Sequence, residues 1–402
     1  MIQPFSSPLY VMAKPAGAAC NLRCEYCYYL EKAKLFTKQS APVMSDELLE
    51  HFIEEYIACQ TMPEVQFCWH GGEPLLRPIS FYKKALKLQK QYARGRHIDN
   101  IIQTNGTLIN DEWARFFKQN NFLVGVSIDG PKDLHDHYRL SPQGEGSWDR
   151  VMRGIRCLQK YGVEWNAMAV VNDVIAEHPL EFYNFFKSID CHYIQFTPIV
   201  ERLQHHSDGR RLANPLDGDS PQLTPFSVTP KKWGHFLCTI FDEWVRKDVG
   251  NFFIQIFDST LANWMGEQPG VCSLARDCGH AAVMEHNGDM YSCDHFVFPE
   301  YRLGNIMTDS IIGMMKSQRQ LDFGRIKHGS LPTQCQRCEW NFACNGECPK
   351  NRFCKTATGE RGLNYLCEGY HEFFAHVAPA MDIMKRLLMN RQPPALIMQL
   401  LK

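Results

Sequence analysis

The cysteines carry the clearest chemical signal in this sequence. There are 17 of them among 402 residues, and a first group, Cys20, Cys24 and Cys27, has the spacing C-x3-C-x2-C. Three thiolates on one loop can hold three corners of an iron–sulfur cube, although four cysteines are the usual number. The remaining iron would stay open to a substrate or cofactor, as the metal does in three-ligand catalytic zinc sites. A partial zinc site completed by a distant residue is the alternative.

A second group of nine cysteines lies between positions 272 and 367. Its central run is Cys335-x2-Cys338-x5-Cys344-x3-Cys348. Eight of the nine thiols would suffice for two four-cysteine cubes, and a zinc ribbon on the central run is also physically possible. Clustered cysteines in a reducing compartment are more often metal ligands than disulfides. The pattern therefore predicts metal sites in a cytoplasmic protein.

The elements that must position the first group alternate between strands and helices over the first 200 residues. Candidate strands lie at 9–13, 65–69, 98–103, 122–128, 164–171 and 192–197. Candidate helices lie between them, at 45–60, 79–93, 111–120, 148–161 and 176–189. Ser45, Asn110 and Ser147 are placed to cap three of these helices. The alternation predicts βαβ units and a parallel sheet, and hence an α/β fold of the partial (β/α)6 barrel type.

Further polar residues follow these strands where each strand ends. Gly71-Gly72-Glu73-Pro74 follows the second strand, Thr104-Asn105-Gly106 the third, and Ser127-Ile128-Asp129-Gly130-Pro131 the fourth. The first cysteine group itself follows the first strand. Because barrel enzymes place their chemistry at the carboxyl ends of their strands, we expect these residues to share one site.

The rest of the chain divides by composition. A stretch rich in proline, glycine and aspartate at 203–230 is typical of a linker loop, and Thr229-Pro230 is typical of a helix start. We predict a barrel domain at 1–230 that includes this loop, followed by a connecting helical segment at 231–270. A small cysteine-rich α+β domain at 271–370 and a helical tail at 371–402 complete the chain.

Composition also excludes two classes of function. The net charge is −1, which argues against a nucleic-acid binder held by phosphate neutralisation. No apolar run approaches the roughly 18 residues of a membrane helix. With 45% apolar residues, the chain can instead build a sizeable globular core, and we expect neither nucleic acid nor membrane as a partner.

Over about residues 1–200 these motifs resemble those of the radical S-adenosylmethionine enzymes. The resemblance implies that the open iron chelates S-adenosylmethionine and that one electron cleaves its sulfonium to give a 5′-deoxyadenosyl radical. A guanidinium such as that of Arg139 suits the cofactor's carboxylate. The residues that the resemblance places near the cofactor are Tyr26, Gly71, Gly72, Glu73, Ser127, Arg139 and Val200.

The second cysteine group resembles the SPASM domain of radical enzymes that modify peptides and proteins. The resemblance implies two auxiliary [4Fe-4S] clusters with interleaved ligands. The first would be held by Cys272, Cys278, Cys293 and Cys348, and the second by Cys335, Cys338, Cys344 and Cys367. Cys354 has no counterpart in this pattern, so we expect it to be a free thiol.

Nearly the whole chain is similar to the anaerobic sulfatase-maturating enzymes, most clearly at 226–237 and at Cys293-Asp294-His295. The similarity implies three [4Fe-4S] clusters, S-adenosylmethionine, and oxidation of a cysteine or serine in a sulfatase precursor to Cα-formylglycine. Asp294 would be the catalytic proton acceptor. The implied partners are an unfolded sulfatase peptide and a small electron donor such as flavodoxin or ferredoxin. His70 departs from the glutamine of many relatives, which leaves the choice between cysteine and serine substrates open.

Two other functions remain compatible with the cysteines. A peptide maturase that forms thioether or carbon–carbon cross-links would share both cysteine groups. Such maturases often carry an N-terminal recognition domain, and only 19 residues precede Cys20, which favours the sulfatase interpretation. A non-catalytic zinc-binding interaction protein is the alternative of another class.

Overall fold

The structure, a computed structural model, describes residues 3–36, 43–206, 209–213 and 222–401. Its strands are β1 Tyr10–Ala13, β2 Glu64–Trp69, β3 His97–Thr104, β4 Leu123–Ser127, β5 Trp165–Val171, β6 Tyr193–Pro198, β7 Arg202–His206, β8 Gly209–Leu212, β9 Gln222–Leu223, β10 Phe253–Ile254, β11 Ala281–Met284, β12 Asp289–Tyr291, β13 Arg302–Asn305, β14 Cys354–Lys355 and β15 Arg361–Leu363.

Its helices are α1 Tyr29–Lys32, α2 Asp46–Ala58, α3 Ile79–Tyr92, α4 Asp111–Gln119, α5 Lys132–Asp136, α6 Trp148–Tyr161, α7 Pro179–Ser188, α8 Pro230–Lys247, α9 Gln255–Met265, α10 Ile311–Met315, α11 Gln318–Gly329, α12 Thr333–Gln336, α13 Asn341–Cys344, α14 Cys367–Met389 and α15 Ile397–Leu400.

The six strands and five helices predicted for the first 200 residues are all present, which confirms the α/β fold. Ser45 and Asn110 cap α2 and α4 by accepting backbone N–H groups of the first turn. Ser147 was predicted to cap α6, and this is wrong. Its hydroxyl donates to the carbonyl of Arg139 at 2.7 Å, and the Asp136 carboxylate accepts two N–H groups at the start of α6 in its place.

One compact unit contains the described residues of Met1–Ser127, Asp136–Trp165 and Gly279–Gly324. Its strands follow the order β4-β3-β2-β1-β11-β12-β13. The pairs from β4 to β11 are parallel, and β12 and β13 are antiparallel additions. β11 to β13 come from the stretch predicted as a separate cysteine-rich domain. Three of the four residues of β11 are buried, so this strand needs the cover that a place beside β1 gives.

The other unit contains the described residues of Ile128–His135, Asn166–Cys278 and Arg325–Lys402. Its parallel strands follow the order β10-β6-β5. The predicted helix start at Thr229-Pro230 is confirmed, since the Thr229 hydroxyl accepts the N–H of Lys232. The limits of the four predicted domains stay a prediction.

The predicted linker loop at 203–230 is partly wrong. β7, β8 and β9 form a three-stranded antiparallel sheet in the order β8-β7-β9. Positions 207–208 and 214–221 of this stretch lie outside the described residues. Composition indicated turns correctly, but local turn residues do not exclude short strands that pair with each other.

The predicted helical tail is mostly the long helix α14. A Cβ atom on Gly234 of α8 would lie 2.9 Å from Gly369 Cα of α14, so the two glycines let these helices approach closely. Among the residues that the structure describes, no helix is both long and apolar enough to cross a membrane.

Candidate active site

The first cysteine group lies on the loop after β1, and the loop after β2 holds one side of it. The backbone N–H groups of Gly72 and Glu73 donate to the carbonyls of Gly17 and Ala19, each at 2.8 Å. A Cβ atom on Gly72 would overlap the Ala19 carbonyl oxygen. Glycine was predicted there so that backbone could approach a ligand. The structure shows that it lets backbone approach the cysteine loop.

The other side of the cysteine loop pairs with the segment before α6. Two N–H groups within 23–25 donate to carbonyls within 138–140, at 2.8 and 3.0 Å. Arg139 is only 7% exposed, and its guanidinium carbon lies 5.5 Å from the ring centroid of Tyr26. Burial raises the pKa of the Cys27 thiol, and the Arg139 charge acts against burial. The predicted carboxylate clamp therefore lies beside the first cysteine group.

Glu73 anchors the loop after β3. Its buried carboxylate accepts hydrogen bonds from the Thr104 hydroxyl at 2.7 Å, from Asn105 N at 2.8 Å and from Leu75 N at 2.9 Å. Burial raises the pKa of this carboxyl to about 7, although the three donors act to lower it. The Asn105 amide in turn lies 3.7 Å from Cys20 Sγ. Glu73 thus orders the site through the loop that carries Asn105, and its contact with the cofactor's ammonium stays a prediction.

The surroundings of Ser127 and Val200 give less information about the cofactor contacts predicted for them. Ser127 ends β4, and its hydroxyl accepts the Gln103 amide at 3.0 Å. Val200 lies in the other compact unit, two positions past β6, and is 2% exposed. Its burial is what a core residue would show, so its contact with the cofactor stays a prediction.

Asp294 lies among three side chains that donate to it. Lys14 Nζ donates to its Oδ1, the Tyr28 hydroxyl to its Oδ2, and Lys32 Nζ to its backbone carbonyl. Burial acts to raise the pKa of the Asp294 carboxyl, but the ammonium groups of Lys14 and Lys32 outweigh burial and hold it well below its usual range. The Asp294 side chain keeps 14% exposure. The site therefore holds an ionised, partly accessible carboxylate.

Lys14, Tyr28 and Lys32 were not predicted as site residues. Lys14 directly follows β1, so the rule that placed the other residues at strand ends could have found it. Tyr28 directly follows Cys27, and the thiols of Cys27 and Cys293 both act to raise the pKa of its buried hydroxyl. Lys32 lies on α1, a short helix without a sequence signal. Asp294 and the first cysteine group are therefore neighbours through Tyr28.

His70 lies on the same edge, directly after β2. Its Nδ1 accepts the N–H of Gly71 at 2.8 Å, so the proton of the neutral ring is on Nε2. Burial lowers the pKa of His70 to about 4. The ring is therefore neutral at physiological pH.

The four thiols predicted to hold the second auxiliary cluster are neighbours. Burial raises the pKa of the Cys367 thiol to about 11, and Cys335 and Cys338 raise it further. Burial raises the pKa of Cys344 to about 12, with contributions from Cys367 and Cys335. Cys354 also lies close enough to raise the pKa of Cys367. Such mutual effects are those of thiols gathered at one place.

Two of the four thiols predicted to hold the first auxiliary cluster, Cys272 and Cys278, are neighbours. Burial raises the pKa of Cys278 to about 11, and Cys272 contributes in the same direction. Cys293 belongs to the unit that holds the first cysteine group, whereas Cys272, Cys278 and Cys348 belong to the other. This ligand set stays a prediction.

The cysteine chemistry fits iron–sulfur groups. All 17 cysteines lie in described residues, and none forms a disulfide. Cys20 Sγ accepts the N–H of Leu22 at 3.3 Å in addition to the Asn105 amide. Burial raises the pKa of the Cys20 thiol to about 11, and these two donors act to lower it. Donors aimed at a sulfur stabilise its thiolate form, which is the form that binds metal.

Comparison with known proteins decides the family. The Radical SAM superfamily model matches residues 15–186, and the SPASM model, an iron–sulfur cluster-binding domain, matches 272–339. Over 399 residues the chain is 68% identical to the serine-type anaerobic sulfatase-maturating enzyme of Bacteroides thetaiotaomicron, covering 99% of this chain and 96% of that protein. This chain belongs to the anaerobic sulfatase-maturating enzymes.

Two further sulfatase-maturating relatives span nearly the whole chain. The cysteine-type anaerobic sulfatase-maturating enzyme of Clostridium novyi is 32% identical, over 96% of this chain and 99% of that protein. The solved structure of native anSMEcpe with bound AdoMet and Kp18Cys peptide has a TM-score of 0.82 and 31% identity, over 94% of this chain and 99% of that one.

Membership in this family confirms the predicted cofactors, which are three [4Fe-4S] clusters and S-adenosylmethionine. It also sets aside the two alternatives. A zinc-binding scaffold does not account for an iron–sulfur cluster-binding domain. A cross-linking peptide maturase does not account for 68% identity to a sulfatase-maturating enzyme.

Proposed function

We propose that this enzyme oxidises a serine or cysteine side chain in a sulfatase peptide to Cα-formylglycine, with Asp294 as the proton acceptor. The observation that carries the proposal is the Asp294 carboxylate, which Lys14 and Tyr28 hold beside the first cysteine group. The relative solved with a bound peptide supports a peptide substrate.

The residues proposed to hold the cofactors are those that the family resemblance implied. When bound, the cofactors supply a 5′-deoxyadenosyl radical for the substrate's β-hydrogen and an acceptor for the second electron. The proposed cluster ligands are Cys20, Cys24 and Cys27, then Cys272, Cys278, Cys293 and Cys348, then Cys335, Cys338, Cys344 and Cys367. The proposed S-adenosylmethionine contacts are Tyr26, Gly71, Gly72, Glu73, Ser127, Arg139 and Val200.

Asp294 can act as a base although both its oxygens already accept a hydrogen bond. Each carboxylate oxygen has two lone pairs, and Lys14 and Tyr28 occupy one on each oxygen. A remaining lone pair can accept the proton of a substrate hydroxyl or thiol. Lys14 and Lys32 also stabilise the negative charge of the carboxylate, so Asp294 stays ionised although it is mostly buried.

We infer that serine is the preferred target residue. The serine-type relative is 68% identical to this chain, whereas the cysteine-type relative is 32% identical. The test is to incubate the anaerobically reconstituted full chain with dithionite, S-adenosylmethionine and matched serine and cysteine peptides. We expect formylglycine from both, with a larger kcat/KM for serine. Product masses without formylglycine would overturn the proposed function, and a larger value for cysteine would overturn only the preference.

We propose a small acidic electron carrier of the flavodoxin or ferredoxin kind as the reductant. Lys83, Lys87 and Lys90 are exposed along one side of α3, and the exposed Arg94 follows the helix. No acidic residue occurs at 79–96. A surface of one charge steers an oppositely charged partner and speeds its association, so this helix supports an acidic carrier. None of the 17 cysteines forms a disulfide, which supports a reducing, cytoplasmic location.

A further inference from the structure

Two cations lie among the cysteine loops of the unit that contains Arg325–Lys402. The Lys327 side chain on α11 is fully buried. Its Nζ donates to the carbonyls of Cys272 and Ser273, each at 2.7 Å, and to that of Ala275. One ammonium group thus closes the loop that carries Cys272.

Arg352 closes a second cysteine loop in the same way. Its guanidinium donates to the carbonyls of the three consecutive residues 345–347, at 2.8, 2.7 and 3.1 Å. It also donates to the carbonyl of Lys327. The loop between Cys344 and Cys348 is therefore tied to Arg352, and Arg352 is tied to the residue that holds the Cys272 loop.

The hydrogen bonds given above do not neutralise the charges of Lys327 and Arg352. Every acceptor given above for Lys327 and Arg352 is a neutral carbonyl. The buried carboxylate of Glu347 accepts hydrogen bonds from the amides of Asn351, at 3.2 Å, and Asn364. These hydrogen bonds pair neither cation with a carboxylate, and a cation withdrawn from water is costly unless an anion lies beside it. A cluster held by cysteine thiolates is such an anion.

We propose that Lys327 and Arg352 raise the reduction potential of the auxiliary cluster that Cys272, Cys278 and Cys348 help to hold, and so prepare it to accept the substrate's second electron. The inference rests on the proposed function for the purpose of that electron, but the effect on potential is independent of turnover. Reduction adds one negative charge to a cluster, and a nearby cation stabilises the reduced form more than the oxidised form. Both residues act as positioning residues, since each also fixes a cysteine loop.

The test compares variants that remove the charge with variants that keep it. Lys327→Met and Arg352→Gln remove it, and Lys327→Arg and Arg352→Lys keep it. Anaerobically reconstituted full-length protein would be titrated electrochemically with electron paramagnetic resonance as the readout, and iron would be counted in parallel. In the charge-removing variants we expect the reduced-to-oxidised ratio at a fixed potential to fall by about tenfold, a downward shift of about 59 mV for a one-electron couple. The charge-keeping variants should stay near the parent.

Arg386→Met is the matched control. Arg386 is exposed on α14, 19 positions past Cys367, which is about 28 Å along a helix. Its loss should leave the reduction potentials of both auxiliary clusters unchanged.

Charge-removing variants with parental iron content and a parental reduction potential would overturn the proposal. So would equal iron loss in charge-removing and charge-keeping variants, because the residues would then act only through the fold. Iron loss confined to the charge-removing variants would support it. A parent chain that makes no formylglycine would overturn the proposed function but not the comparison of potentials.

Discussion

Residue chemistry in this site depends on one carboxylate whose partners come from far along the chain. Lys14 and Tyr28 lie 280 and 266 positions before Asp294. An aspartate beside a cysteine has no diagnostic spacing, so the residues alone did not single out Asp294 and the family resemblance did. Its ionised state could not be read from the sequence, because that state depends on cations that only the fold brings to it.

The first prediction concerns Asp294→Asn. The amide keeps the size of the side chain but cannot take up the substrate's proton, and a positioned base contributes about 10²–10⁴-fold. We expect formylglycine formation to fall by at least about 100-fold. Iron content and cleavage of S-adenosylmethionine should persist. Peptide mass spectrometry and 5′-deoxyadenosine release measure the two reactions separately.

Asp99→Asn is the control for this variant. The Asp99 side chain is 44% exposed in the amino-terminal half of β3, away from the strand ends that carry the site, so the substitution should leave both reactions at the parental rate. Formylglycine production by Asp294→Asn at the parental rate would show that another group takes the proton.

The loop after β2 holds the first cysteine group through backbone contacts, and Gly72 leaves no room there for a side chain. In Gly72→Ala the new methyl group would overlap the carbonyl of Ala19 and lie 2.6 Å from that of Ala18. The cysteine loop must shift to make room. We expect the loss of about four irons per chain and of S-adenosylmethionine cleavage, with the auxiliary clusters retained.

The control for the glycine prediction is Gly329→Ala at the end of α11. Among the described residues, no heavy atom other than those of its own helix and chain neighbours lies within 4 Å of an added Cβ there, so the iron content should not change. If Gly72→Ala binds as much iron as the parent and cleaves S-adenosylmethionine normally, the loop after β2 does not support the cysteine loop.

Helix α3 gives the prediction for the reductant. Replacing Lys83, Lys87 and Lys90 together with glutamate should lower turnover with reduced flavodoxin by about tenfold at low salt, because the electrostatic steering of the acidic carrier is lost. Turnover with dithionite, which needs no docking surface, should stay parental. Arg386→Glu, on an exposed part of α14, should change neither rate. Equal loss with both reductants would indicate damage to the fold, and no loss with flavodoxin would place the docking surface elsewhere.

The elements themselves were largely readable from the sequence. Strands β1 to β6 and the five helices between them follow local apolar periodicity and caps, which is information that a short window contains. The pairing of β11 with β1 is different, since it joins Tyr10–Ala13 with residues about 270 positions later. No local pattern encodes such a partner. The small strands at 203–230 were missed because turn-forming residues dominate their composition.

At the scale of the whole molecule, the second cysteine group is divided between the two compact units. Gly279–Gly324, which carries Cys293 and Asp294, belongs to the compact unit of the first cysteine group. Cys272, Cys278 and the cysteines from 335 onward belong to the other unit. The sequence predicted interleaved ligands only through its resemblance to a family, because spacing alone allowed several groupings of nine thiols.

The iron content of the whole chain tests the assignment of ligands most directly. Three cubes predict about 12 irons per chain. Cys24→Ala removes one of three ligands of the first group, so we expect about 8 irons and no cleavage of S-adenosylmethionine, with auxiliary signals retained in the electron paramagnetic resonance spectrum.

Cys354→Ala is the matched control, because Cys354 lies next to Cys367 and is predicted to bind no iron. Its iron content and activity should equal those of the parent. Iron loss in Cys354→Ala with retention in Cys367→Ala would exchange the roles of these two thiols, and full iron in Cys24→Ala would remove the first group as a cluster site.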